Sequence, residues 1–180
     1  MRESRKIKRE ADRLLEQSNL PQSLTSYGRV KITGNYKLNL MLNGDIDINI
    51  VNPKFTKTRV LQVFNQLVRQ SFFKSYHFYD FIKFKQPPFP AGYYIFLRKN
   101  IKGQKWKIDL WFLTKDDPNE VKTMKLVEQK LTPKTKLIIL KLKNYRDRKN
   151  LDLPSATIYR LVFQYNITML KQFKDLVKKN

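Results

Sequence analysis

Cysteine is absent from this 180-residue chain, and histidine occurs once, at His77. No disulfide framework, thiolate zinc site or cysteine nucleophile can exist here, nor any histidine triad or multi-histidine metal site. A reducing interior is compatible with that composition. Acidic residues are scarce: 15 stand against 37 lysines and arginines, which leaves a formal net charge of +22. Long apolar runs are missing too, since none approaches the roughly 18 residues of a membrane span. The opening stretch MRESRKIKREADRLL is too charged for the core of a secretory signal. The expectation is a soluble, cytoplasmic protein.

What is present points to a folded domain. Hydrophobic residues make up 41% and aromatics 13%, which is not the composition of a disordered polycation. The length suits one domain, or one with a small appendage, and is enough to bury a core. The positive charge points to a polyanionic partner: nucleic acid, nucleotide phosphates or an anionic membrane surface. The joint richness in Lys, Asn, Ile, Tyr and Phe also fits a biased coding composition.

Periodicity divides the chain. Ile7, Ala11, Leu14 and Leu15 predict a helix over about Glu3 to Gln17, and Asn19 to Tyr27 reads as a connector. Arg29 to Thr33 and Asp45 to Val51 alternate as strands. Thr56 caps a predicted helix through about Phe73. Two aromatic strands, Tyr76 to Lys85 and Gly92 to Arg98, flank the loop QPPFPAG. A turn at Asn100 to Gly103 leads to a further strand, Lys105 to Leu113. Thereafter the pattern is helical, with starts at Asp117-Pro118 (Glu120 as the reciprocal capping acid), Thr132-Pro133, Pro154-Ser155 and Thr168. The reading is α+β: a mixed sheet of about four to five strands with helices packed on it, then a helical tail. Residues 1–115 form the expected core and 116–180 a helical extension packed on it.

Two aspartates stand out in so basic a chain. Asp45 and Asp47 lie at i and i+2 on a strand, so both carboxylates point to one face. Such neighbours repel unless divalent cations sit between them, and hard oxygen ligands suit Mg²⁺ or Mn²⁺. Asp109 is the candidate third acid, on a strand face shared with Lys107 and Trp111. Before the pair comes Gly34, which lets the backbone turn and approach a phosphate, followed by Asn35 with a side-chain amide. A short helix over Tyr36 to Leu42 would add positive potential there. The plain alternatives are a surface strand with two solvated acids, and a cross-strand lysine pair for Asp109.

The sequence Gly34-Asn35, nine residues, Asp45-Ile46-Asp47, then a distant apolar-Asp109-apolar strand resembles the DNA polymerase beta-like nucleotidyltransferase superfamily. That family carries Gly-Gly or Gly-Ser, a spacer, Asp-x-Asp and a later third acid. The resemblance covers roughly Arg29 to Thr114. The tail, with Ser155 to Val162 and Thr168 to Phe173, is similar to the end of small bacterial stand-alone members. The resemblance implies that Gly34, Asn35 and Lys37 hold the triphosphate of a nucleotide. It implies that Asp45, Asp47 and Asp109 bind Mg²⁺ or Mn²⁺, with Asp109 orienting or deprotonating an acceptor hydroxyl. The implied activity moves a nucleoside monophosphate from an NTP to that hydroxyl and releases pyrophosphate, with RNA or tRNA slightly favoured as acceptor. Asn35 departs from the usual Gly or Ser. The alternative is therefore a catalytically inactive member that binds RNA or a protein partner.

Other residues read more plainly. His77 is expected to have no chemical task, and the aromatic strands are expected to serve the core. Lys134 to Arg148 reads as a basic amphipathic helix: a solvated face, a wall tracking a nucleic-acid backbone or, without a lipidation signal to support it, a membrane-surface face.

Overall fold

Alternation over the aspartate segment produces a strand whose two faces differ completely. The structure is a computed structural model that describes residues 2–177. In it Ile46, Ile48 and Ile50 are fully buried on one side of β2 (Gly44–Val51), while Asp45, Asp47 and Asn49 project from the other. The first strand, β1 (Arg29–Thr33), pairs antiparallel with β2. β3 (Ser75–Asp80), β4 (Tyr93–Ile101) and β5 (Gln104–Leu113) complete a five-stranded sheet in the order β1-β2-β5-β4-β3. Only the central β2–β5 pair is parallel, which makes the sheet mixed, and the fold is α+β.

One face of the sheet is the core. Ile108, Leu110 and Phe112 of β5 and Ile95 and Leu97 of β4 extend the isoleucine row of β2. Helices α1 (Arg2–Ser18), α2 (Leu20–Leu24) and α4 (Lys57–Gln70) cover it through Ile7, Ala11, Leu14, Leu20, Val60, Val63 and Leu67. Each such large side chain contributes about 1.5–3 kcal/mol by leaving water. α2 thus occupies part of the segment expected to be only a connector. α4 ends before Phe73 because Ser71 turns left-handed, with φ 53°. β3 stops at Asp80, short of Lys85, because the Asp80 carboxylate accepts the backbone N–H groups of Ile82 and Lys83 and bends the chain.

A single helical turn, α3 (Gly34–Lys37), follows β1. The expected helix to Leu42 does not form: Asn39 is left-handed at φ 55°, and Leu40 and Met41 are wholly buried in irregular chain. A four-residue turn sums few peptide dipoles, so the positive potential expected from a longer helix is reduced to local N–H groups.

The tail packs around a second apolar cluster. α5 (Pro118–Lys130), α6 (Pro133–Arg148), α7 (Ser155–Phe163) and α8 (Leu170–Val177) gather Val127, Ile139, Leu142, Ile158 and Phe173 against Leu38 and Leu40. Asp117 caps α5 by accepting from the Asn119 N–H at 3.0 Å, and Thr132 and Thr135 cap α6 reciprocally. Glu120 is not the expected capping acid. Its carboxylate reaches the sheet, accepting from the Thr33 hydroxyl at 2.7 Å and from the Asn49 amide.

Candidate active site

Parallel pairing of β2 and β5 sets Asp47 directly opposite Asp109 and Asp45 opposite Lys107. All four side chains therefore leave the same face of the sheet, the one away from the isoleucine core. On the other side of β2, Thr33 is the register partner of Asp47. The next residue, Gly34, turns the chain with φ +59°, and its Cα packs against the Asp47 carboxylate so closely that a Cβ would collide with Oδ2. The glycine bend, the aspartate pair and the third acid therefore form one continuous site.

Around the acids lies a cleft of about 320 Å³ lined by Asp47, Asp109, Lys107, Tyr94 and Trp111. The Tyr94 hydroxyl donates to Asp109 Oδ1 at 2.6 Å, and Lys107 Nζ lies 2.7 Å from Asp109 Oδ2 and 3.8 Å from Asp45 Oδ1. At the glycine end, the Asn35 side-chain carbonyl accepts from Lys143 Nζ at 2.7 Å and from the Tyr159 hydroxyl at 2.6 Å. Lys143 also donates to the Leu40 carbonyl at 2.6 Å. Two helices of the tail thus hold Asn35 by its oxygen, which leaves its NH₂ as the donor end.

No protein-family model and no curated protein matches the sequence. Solved structures do. The Cid1 poly(U) polymerase, with magnesium and 3′-dATP bound, superposes with a TM-score of 0.66 at 18% identity, over 89% of this chain and 49% of that one. A cytoplasmic RNA terminal U-transferase matches with a TM-score of 0.60 at 19% identity, over 91% and 48%. The polymerase core of TRAMP, an RNA surveillance complex, matches with 0.62 at 15%, over 91% and 50%. The chain has the nucleotidyltransferase fold of these structures. It spans about half the length of these structures.

In this nucleotidyltransferase fold the acids are short of positive charge. Burial pushes the Asp47 carboxyl up to about 8, and the Asp45 and Asp109 carboxylates push the same way. Asp45 is raised as well, by burial first, with Lys107 opposing. Burial alone would lower Lys107, but Asp45 and Asp109 outweigh it and hold the ammonium above its ordinary range. Among the described residues no three acidic or histidine side chains stand ready-made as a metal cage. The Lys107 ammonium instead bridges Asp45 and Asp109. Among the described residues, Asp45 Oδ1 nevertheless has no hydrogen bond and is buried. An orphaned carboxylate oxygen beside two more carboxylates is a donor set that fits Mg²⁺ or Mn²⁺.

The candidate residues named from sequence fare differently. Asp45, Asp47, Asp109, Gly34 and Asn35 come together at one end of the β2–β5 pair. Lys37 does not line the acid cleft: its ammonium is 2.8 Å from Glu128 on α5. His77 stacks on Phe96, centroids 4.7 Å apart. The aromatic strands divide: Tyr93 joins the core, while Tyr94 lies on the acid face. Lys143 and Tyr159 escaped sequence reasoning, and Glu120 reads there only as a capping acid. Lys143 carries a readable signal, since it falls four residues after Ile139 and three after Leu140, on the buried stripe of α6. Burial lowers this lysine to about 7, with Arg146 acting in the same direction.

Proposed function

We propose that this protein is a metal-dependent nucleotidyltransferase that moves a nucleoside monophosphate from an NTP to an acceptor hydroxyl and releases pyrophosphate. The observation that carries the reading is the alignment of Asp47 with Asp109 across β2–β5, with Asp45 on the same face and Gly34 against Asp47. The RNA polymerases that share the fold support it, and an RNA or tRNA end is the favoured acceptor.

Asp45, Asp47 and Asp109 would hold Mg²⁺ or Mn²⁺. Bound there, such ions neutralise the carboxylates and stabilise charge developing on the transferring phosphoryl group. The chain's own residues do the rest. The turn at Gly34 presents backbone N–H groups to a triphosphate, and the Asn35 amide donates beside them. Asp109 accepts a proton from, or orients, the attacking hydroxyl. Lys107 yields its place between Asp45 and Asp109 and remains near the phosphates as a compact positive charge.

The test is incubation of the protein with radiolabelled NTPs, Mg²⁺ and RNA, beside the Asp45→Ala variant. Loss of several kcal/mol of charge stabilisation predicts a fall of roughly a thousandfold or more. Equal incorporation by the variant sinks the assignment.

One observation favours a second reading, a catalytically inactive fold that binds RNA or a protein. The Lys107 ammonium already satisfies Asp109 and approaches Asp45. Calorimetry separates the two: Mg²⁺-dependent NTP binding supports the enzyme, and salt-sensitive RNA binding without NTP binding supports the module.

A further inference from the structure

The acid cleft has an aromatic wall that the transfer chemistry does not require. Trp111 follows Asp109 by two residues and shares its face. Its indole stacks on Tyr94 at 4.6 Å and 27°, on Phe81 at 5.5 Å and 26°, and on Phe89 at 6.0 Å and 28°. Tyr94 in turn bonds Asp109. The wall is thus anchored directly to the third acid. It is also open: Phe89 keeps 50% of its surface exposed, and Phe84 on the same loop keeps 65%. Lys83 and Lys85 flank Phe84 and are exposed. Exposed rings and lysines on a loop that lends Phe89 to the cleft are the composition that single strands use, rings for bases and ammonium groups for phosphates.

We infer that Trp111, Tyr94 and Phe89 form a stacking subsite for the 3′-terminal base of a single-stranded polynucleotide acceptor. This rests on the transferase reading above and names its acceptor. Direction follows from in-line displacement, in which the attacking oxygen and the departing pyrophosphate lie on opposite sides of the transferred phosphorus. The Gly34 turn lies beside β1, on one side of the aspartate pair, and Trp111 and Tyr94 lie on β5 and β4, on the other, with Phe89 on the loop that leads into β4. Pyrophosphate therefore leaves on the glycine side, and the acceptor enters along the rings. A net charge of +22 favours a polyanionic strand over a cationic small-molecule acceptor.

The test uses the full chain and a short unstructured RNA, intact or lacking only its 3′-terminal base. Trp106 is buried at 2% exposure, so quenching of tryptophan emission by added strand reports Trp111. The expected results are quenching by the intact RNA and about tenfold weaker binding of the abasic RNA, the size of one lost stack. Phe89→Ala should bind intact RNA several-fold more weakly and abasic RNA as the wild type does. Equal binding of the two RNAs overturns the subsite, whatever the transfer assay shows. Weaker Mg²⁺–NTP binding by Phe89→Ala with unchanged RNA binding also overturns it and gives the rings to the incoming nucleotide. Base-dependent RNA binding without any Mg²⁺-dependent NTP binding keeps the subsite and rejects the transferase.

Discussion

Gly34 backs directly onto the Asp47 carboxylate. Its φ of +59° lies in the left-handed region, and the space where a Cβ would stand is taken by Asp47 Oδ2. The bend proposed to hold phosphate and the acid proposed to hold metal therefore form one packed unit. Gly34→Ala must pay for a strained backbone and displace the carboxylate, about 2–5 kcal/mol together. At about 2–4 °C per kcal/mol for a chain of this size, thermal unfolding should fall by roughly 4–20 °C. Mg²⁺-dependent NTP binding should fall with it. An alanine variant that melts and binds as the wild type does would show that the bend tolerates a side chain.

Asp47 gives the ion-free protein a pH signature. Burial, then Asp45 and Asp109, raise its pKa from 3.8 to about 8, against the opposing charge of Lys107. Between those values the native state keeps a proton that the unfolded chain has released. Ion-free stability is therefore lost as pH rises from about 4 to about 8. In chelator, Asp47→Asn should match the wild-type melting temperature near pH 4 up to a constant offset and gain on it steadily toward pH 8. Circular dichroism melts at stepped pH measure this. A difference that stays flat contradicts the burial argument.

How much of this was legible in the sequence depended on range. Alternation over Ile46, Ile48 and Ile50 and the caps Thr56, Asp117 and Thr132 are local signals, and the elements they predict form. The meeting of Asp47 with Asp109 needs the parallel β2–β5 register, which local patterning does not encode; the family resemblance supplied it. Glu120 misled because its spacing from Asp117 suits a capping box, yet a long side chain on the first turn of α5 also reaches Asn49 on β2. Lys143 was masked by its neighbours: among Lys141, Arg146 and Arg148 it reads as solvated, although its spacing from Ile139 and Leu140 puts it on the buried stripe, where it contacts Asn35 and Leu40.

Lys107 occupies the position a cation would contest. Its ammonium is part-exposed, so its pair with Asp109 is screened and worth about 1 kcal/mol. Lys107→Met should lower the ion-free melting temperature by about 2–4 °C. The same variant should gain more from added Mg²⁺ than the wild type, because the ion no longer displaces a bound ammonium. A thermal-shift titration with Mg²⁺ reads both effects. A smaller Mg²⁺ gain in the variant would mean that Lys107 assists ion binding instead of competing with it.

Glu120 ties the tail to the sheet and also bears on Asp47. Its two oxygens accept from Thr33 and Asn49, both more than nine-tenths buried. Glu120→Ala strands both donors, at a cost of about 2–3 kcal/mol and roughly 4–12 °C in melting temperature. Glu120→Gln is the sharper probe. The amide oxygen still accepts from one partner, so most of the stability should remain. The negative charge is gone, however, and that charge is one of those raising the Asp47 carboxyl. The pH span over which the wild type loses ion-free stability should therefore close at a lower pH in Glu120→Gln. If the glutamine variant melts like the alanine variant, the two oxygens act as an indivisible pair. If its pH profile overlays the wild type, Glu120 docks the helix without shaping the electrostatics of the acid cleft.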